Sequence, residues 1–310
     1  VAGLENRVLV YDVGGSHISA AVFDRDACQI EGVVSAGYPS AQTIDTFLNV
    51  LHSLGSLASQ GQPGISGASL AMPGPFDYGA GVSWMEHKLP YLYGFDLRQA
   101  LAADMGLAPS NVRFLNDAAA YLMGEIAAGA ARGVCRVVGI TLGTGVGSAF
   151  AVDSHLVREG TGVPSGGEIW NLPYQGGIVE DQISTRAIQK SYRERTGKDR
   201  EVAALAGSIA QDPVAAEVFV EFGRNLGQAL KAVLEAFAPH TIVLGGGIAR
   251  SAELFLPAAQ DAVGSLAQLR VSVLGDHAPL VGAGAAWSAS PLPVPPAAEP
   301  TVTHTESPQR

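Results

Sequence analysis

One stretch of this chain occurs twice. Val8–Asp24 reads VLVYDVGGSHISAAVFD, and the same frame returns at Val137–Asp153 as VVGITLGTGVGSAFAVD, offset by 129 residues. Each copy is an apolar run, a glycine turn and an alternating run, which is the pattern of a β-hairpin. Asp12 aligns with Thr141, Gly14 with Gly143, Gly15 with Thr144, Ser19 with Ser148 and Asp24 with Asp153. The offset is far longer than a solenoid period. It predicts two copies of one α/β domain, each offering a glycine turn to the cleft between them.

The 310 residues suffice for two such domains with real cores. Forward from the first hairpin, the pattern predicts a strand at Gln29–Ala36, a helix at Gln42–Ala58 and a strand at Ile65–Ala71. A long irregular stretch, Met72–Gly94, follows, and long loops in compact domains are usually functional. A helix at Phe95–Met105 and a strand at Asn111–Leu115 lead to a helix at Ala118–Ala131. Beyond the second hairpin come a glycine-rich loop at Gly160–Gly177 and helices at Glu180–Thr196 and Pro213–Phe237. Strand Thr241–Leu244, helix Ile248–Ala262, strand Leu269–Leu274 and helix Val281–Ser288 complete the order. The expected division is a smaller domain over 1–115, a larger one over 116–280, and a helix over 281–289 that returns to close the first. Residues 290–310, rich in Pro, Ala, Thr and Glu, read as a disordered tail.

The charge balance limits the partners. With 29 acidic and 19 basic residues and no basic run, a nucleic-acid partner is not expected. An anionic ligand must then be held locally, by backbone N–H groups or a metal ion. Cys28 and Cys135, expected as buried thiols, exclude a disulfide framework and a four-cysteine zinc site. The N-terminus lacks a signal pattern, and the apolar Val137–Val152 is broken by four glycines and two threonines. A cytoplasmic protein without membrane contact is expected.

Several residues are candidates for chemistry. Gly143-Thr144-Gly145-Val146-Gly147 nearly matches the dinucleotide fingerprint, but a strand rather than a helix follows, and no P-loop pattern is present. A glycine hairpin can still hold phosphate, because successive N–H groups share one concavity that no Cβ blocks; Ser16 and Thr144 add hydroxyl donors. The plainer role for these glycines is a turn that needs positive φ. Asp12 ends a buried strand, where a carboxylate is costly unless it is paired or metal-bound; a local Asx turn is the alternative. Asn116-Asp117 opens a helix, as caps do, and a carboxylate fixed there can also accept a substrate proton. Glu168, Asn171 and Glu180, near Trp170, suit a polyol; they would otherwise be a solvated loop acid, its neighbour and a helix-dipole acid. Gly245-Gly246-Gly247 before a helix admits a flat ligand, weakly signalled.

Taken in order, Asp-x-Gly-Gly-Ser, Asn-Asp at a helix start, Gly-Thr-Gly-Val-Gly, Gly-Gly-Glu and Gly-Gly-Gly before a helix resemble the ROK family of repressors, open reading frames and sugar kinases. The resemblance runs from Val8 to Trp287. It implies two ribonuclease-H-like (actin-like ATPase) α/β domains closing on Mg-ATP and a sugar. Asp12, Gly14, Gly15 and Ser16 then match the first phosphate motif, Gly143, Thr144 and Gly145 the second, and Gly245, Gly246 and Gly247 the adenosine motif. Asp117 matches the general base, and Gly74, Asn116, Asp117, Glu168, Asn171 and Glu180 positions that hold the sugar. Mg²⁺ would lie near Asp12, through water. Asn171 stands where the family has a histidine, and NLPYQGGIV replaces its cysteine loop, so no zinc site is expected. Lys88 stands roughly where many relatives have a sugar-binding asparagine.

The expected activity is ATP-dependent phosphorylation of a hexose or hexose derivative by a homodimer, with polyphosphate as another possible donor. A non-catalytic sugar sensor of the same fold is the alternative. A repressor would need a helix-turn-helix domain in front, and only seven residues precede the first strand.

Overall fold

The computed structural model describes residues 6–38, 42–60 and 64–288. Strands β1 (Arg7–Val13), β2 (His17–Asp24) and β3 (Gln29–Gly37) form an antiparallel meander, and helix α1 (Ile44–Ser59) leads to β4 (Ile65–Met72). A small hairpin, β5 (Phe76–Asp77) and β6 (Val82–Ser83), and helix α2 (Leu97–Met105) precede β7 (Val112–Asn116). The sheet order is β3-β2-β1-β4-β7, with β1, β4 and β7 parallel.

Helix α3 (Asp117–Ala128) leads to a second sheet of the same plan. Strands β8 (Arg136–Leu142), β9 (Val146–Val152) and β10 (His155–Val157) repeat the meander. After the pair β11 (Pro173–Tyr174) and β12 (Gly177–Ile178) come helices α4 (Val179–Ile183), α5 (Thr185–Thr196), α6 (Val202–Ala206) and α7 (Pro213–Leu234). Strand β13 (Thr241–Gly245), helix α8 (Leu256–Val263), strand β14 (Gln268–Val271) and helix α9 (Ala278–Ser288) follow. The order β10-β9-β8-β13-β14 matches the first sheet strand for strand.

The repeat is thus real, but its two turns differ. Val13 pairs with Ile18 across four residues, whereas Leu142 pairs with Val146 across three. The second strands therefore correspond at an offset one residue shorter than the first strands do. Ile18 corresponds to buried Val146 rather than to Gly147. A one-residue change in a hairpin moves every side chain to the other face, so burial sets the true register.

Both sheets are covered on two faces. Leu9, Tyr11 and Val13 pack toward Phe47, Leu51 and Leu54 of α1, while Val8 and Val10 meet Leu280, Val281 and Trp287 of α9. In the second sheet Val138, Ile140 and Leu142 meet the long α7, and Val137, Ala149 and Val243 meet Ala118, Tyr121 and Leu122 of α3. Helices α3 and α9 therefore cross between the sheets. Small residues permit this: a Cβ on Gly124 would strike the Ala278 carbonyl, and one on Gly282 the Ala120 carbonyl.

Other expectations need correction. The helix expected over Glu180–Thr196 breaks at Ser184, whose ψ of 174° is extended. The helix expected from Ile248 begins as a 3-10 segment, kinks at Ser251 and becomes α-helical at Leu256, with Pro in its first turn. The cysteines are not buried thiols: Cys28 is half-buried and Cys135 exposed. Among the described residues no helix is long and apolar enough to cross a membrane. The tail expected over 290–310 lies outside the described residues.

Candidate active site

The two glycine turns are open structures. In the first, the Gly14 N–H donates to the His17 carbonyl at 3.0 Å, and the Tyr38 hydroxyl donates to the Gly14 carbonyl at 2.7 Å. In the second, the Gly143 N–H donates to the Gly145 carbonyl at 3.0 Å. Among the described residues the N–H groups of Gly15, Ser16, Thr144 and Gly145 meet no acceptor. None of Gly14, Gly15, Gly143 and Gly145 has a positive φ, so backbone conformation does not require glycine there. A Cβ on Gly15 would meet nothing within 4 Å. What these turns gain from glycine is bare backbone facing outward, which suits an anion.

The third glycine run differs from them. Gly245 is pressed against the Tyr121 ring, and Gly246 has φ of 83° with its Cα against the Leu142 backbone, so both are required by packing. Gly247 is exposed with open space around it.

Asp12 is the penultimate residue of β1, paired with Ser19 on one side and Ala71 on the other. Burial, with Asp117 and Asp276 nearby, pushes its carboxyl up to about 7. The Asx-turn role is not seen: among the described residues no backbone N–H donates to Asp12. Asp117 opens α3, and its Oδ1 accepts the Ala118 N–H at 2.8 Å. Burial raises its pKa, while nearby Lys88 and the hydrogen bonds oppose that shift. Asp117 is thus near enough for its charge to raise the Asp12 pKa.

A cleft of about 980 Å³ opens beside them. One wall is the Gly74–Tyr93 loop, with Tyr78, Trp84 and Lys88; the other carries Ser148, Phe150, Arg158 and Gly166–Glu168, and Asn116 lies between. Tyr78 organises it: its hydroxyl donates to the Met72 carbonyl at 3.2 Å and accepts from Asn116 Nδ2 at 3.2 Å. The Arg158 guanidinium sits 5.6 Å from the Tyr78 ring centroid. Glu168 is exposed to the cleft, and its Oε2 accepts the Trp170 indole N–H at 3.0 Å. Ser148 braces this loop by donating to the Gly167 carbonyl at 2.7 Å and accepting the Ile169 N–H at 3.0 Å.

Of the residues expected to hold an acceptor, Gly74, Asn116 and Glu168 line the cleft, whereas Asp117, Asn171 and Glu180 do not. Asn171 is exposed outside it, just ahead of β11. Glu180 is engaged elsewhere: its carboxylate accepts the Val146 N–H and pairs with Arg186. Tyr78 and Arg158 escaped the sequence reading; loop length marked the region around Tyr78 but no single residue in it. Glu125 escaped it too. Fully buried in α3, it accepts from the Ser272 hydroxyl, the Ala130 N–H at 2.7 Å and the Leu274 N–H at 3.3 Å. An acid within a helix reads as a surface residue until tertiary contacts satisfy it. Among the described residues, no three His, Cys, Asp or Glu side chains gather as metal ligands.

Two matched sheets, each with a glycine turn after its first strand, and a cleft beside an aspartate at a helix N-terminus define an actin-like ATPase fold of the sugar-kinase type. Residues 8–290 match the ROK family, and the chain belongs to it. It is 25% identical over 255 residues to a β-glucoside kinase of Klebsiella pneumoniae, covering 78% of this chain and 82% of that one. The ROK hexokinase of Thermus thermophilus superposes with a TM-score of 0.72 at 26% identity, over 90% of this chain and 97% of the other. A ROK glucokinase of Streptomyces griseus, solved with glucose and AMPPNP, gives 0.73 at 24% identity, over 90% and 98%.

Proposed function

We propose that the protein is an ATP-dependent sugar kinase that transfers the γ-phosphoryl group to a hydroxyl of a hexose or hexose derivative. The observation that carries this reading is the placement of Asn116 and Asp117. Asn116 lines the cleft, and the charge of the next residue, Asp117, reaches Asp12 just ahead of the first glycine turn. An acceptor hydroxyl in the cleft and a phosphate on the turns would meet at Asp117.

Asp117 takes the proton of the attacking hydroxyl as its oxygen bonds to the γ-phosphorus and the bond to the β–γ bridging oxygen breaks. Proton transfer of this kind contributes about 10²–10⁴-fold. The amides of Gly15, Ser16, Thr144 and Gly145 hold the phosphates, and Gly247 leaves room for the nucleoside. Asp12, a half-buried carboxylate that accepts no backbone N–H among the described residues, would hold Mg²⁺ through water. Magnesium, when bound, neutralises phosphate charge; positioning by the turns and the cleft supplies most of the remainder. Asn116 and Glu168 hold acceptor hydroxyls, and Tyr78 fixes Asn116.

The experiment is ADP release with Mg-ATP across glucose, mannose, fructose, allose, N-acetylglucosamine and N-acetylmannosamine, with a sugar-free control and Asp117→Asn. Sugar-dependent turnover that falls by at least about 10²-fold in the variant supports the reading. If no sugar stimulates turnover with ATP or polyphosphate, while some raise the melting temperature, the protein is a sugar sensor instead.

A further inference from the structure

Among the described residues the exposed large aromatic rings are Trp84, Tyr93 and Trp170, at 39%, 49% and 39%. All three gather at one place. Trp84 and Tyr93 line the cleft, and Trp170 is bonded to Glu168 on its other wall. The Trp84 and Tyr93 centroids lie 5.6 Å apart with their planes at 76°, so the two rings make a corner. The backbone fixes that corner. The Trp84 N–H donates to the Pro75 carbonyl at 3.1 Å, and the Gly94 N–H to the Ser83 carbonyl at 2.7 Å. Met85 and Leu92, their neighbours in the chain, are buried and anchor the segment.

Apolar residues scattered over a surface need no explanation, but a fixed, exposed pair in a ligand cleft does. The floor of the cleft is buried, with Ala119, Ser148 and Phe150, whereas Trp84 and Tyr93 stand at its exposed rim. On the same segment Glu86 and His87 line the cleft, exposed and without a side-chain hydrogen bond or ion pair among the described residues. A pyranose ring has an apolar face of C–H groups and a polar edge of hydroxyls. The C–H face stacks on the negative face of an indole or phenol, and a free carboxylate and imidazole suit the edge. The volume of about 980 Å³ is at the top of the range of about 300–1,000 Å³ for small-molecule sites, which leaves room beyond one hexose. We propose that Trp84 and Tyr93 form an outer subsite for a second sugar ring, so that the acceptor is a disaccharide whose first ring lies at Asn116 and Glu168. That the first ring is the one phosphorylated rests on the kinase reading above.

The test uses the full chain and compares cellobiose, maltose, sucrose, mannobiose and chitobiose with their component monosaccharides. It reads KM by ADP release with Mg-ATP, and sugar affinity by calorimetry without nucleotide. At least one disaccharide binds about tenfold more tightly than its components, as for an added stacking contact. In Trp84→Ala the ratio of its KM to that of the component monosaccharide rises by a similar factor. Trp84→Phe, which keeps an aromatic face, restores most of the preference, and Tyr93→Ala shifts the ratio in the same direction as Trp84→Ala. If no disaccharide binds more tightly than its components, the proposal is overturned. A Trp84→Ala variant that raises KM for every sugar alike makes the indole a cover for the first ring, and overturns it too. Should that variant fail to fold, an unchanged ratio in Tyr93→Ala overturns it as well. Where the wild-type protein phosphorylates no sugar, calorimetry separates the two readings. A disaccharide bound through Trp84 then keeps the outer subsite and removes only the kinase reading, whereas no sugar binding removes both. An enzyme active on monosaccharides alone removes only the outer subsite.

Discussion

Asn116 Nδ2 donates to the Tyr78 hydroxyl at 3.2 Å, while Oδ1 of the same amide accepts the Ala119 N–H at 3.1 Å. One side chain is both the N-cap of α3 and part of the wall of the cleft. The cap role and the functional role, which compete when the residue is read in sequence, are compatible because an amide has a donor end and an acceptor end. Asn116→Asp keeps the cap and loses the donor to Tyr78. Its thermal unfolding should match wild type while KM for the acceptor rises. Asn116→Ala loses both, and chemical denaturation should show it about 1 kcal/mol less stable.

The raised carboxyl of Asp12 makes stability depend on pH. Its folded pKa of about 7 lies above the ordinary value of 3.8. Between those values the folded chain holds a proton that the unfolded chain has released, so this group's contribution to stability falls as pH rises from about 4 to 7. Asp12→Asn should therefore melt higher than wild type at pH 8, with the gain shrinking toward pH 4. The same variant should lose Mg-nucleotide binding, which calorimetry at pH 8 would read.

Lys88 holds the Asp117 pKa below where burial alone would put it. Lys88→Met should move the acid limb of the kcat/KM profile to higher pH, because the base then keeps its proton longer. Lys88→Arg should leave the limb in place. A profile that does not move in the methionine variant would separate Lys88 from the base.

Two glycines test turn against packing. Gly15→Ala has an ordinary φ and open space, so its melting temperature should match wild type while KM for ATP rises. Gly282→Ala drives a Cβ into the Ala120 carbonyl where α9 crosses α3. Overpacking there should destabilise the fold by about 1–3 kcal/mol or more, measurable by urea denaturation.

Much of the fold was legible because burial imposes a period. Both hairpins, the strands of each parallel extension and the long α7 follow from apolar spacing, and the repeat predicted two sheets of one plan. The break at Ser184 was not legible, since the residues on both sides favour helix and only the Thr185 bond to Gly143 shows why the chain turns there. Nor was the one-residue difference between the two turns, which aligned letters conceal and strand pairing reveals.

By itself, the order of residues determined the two glycine turns, the aspartate near the end of β1 and the Asn-Asp pair opening α3. Each is a local pattern whose chemistry lies in neighbouring residues. Tertiary structure alone decided which acids share a site. It brought the charge of Asp117 to bear on Asp12, took Asn171 and Glu180 away from the cleft, and brought Tyr78 and Arg158 into it. Proximity between distant residues depends on how the sheets pack about α3 and α9, and no local pattern encodes that distance.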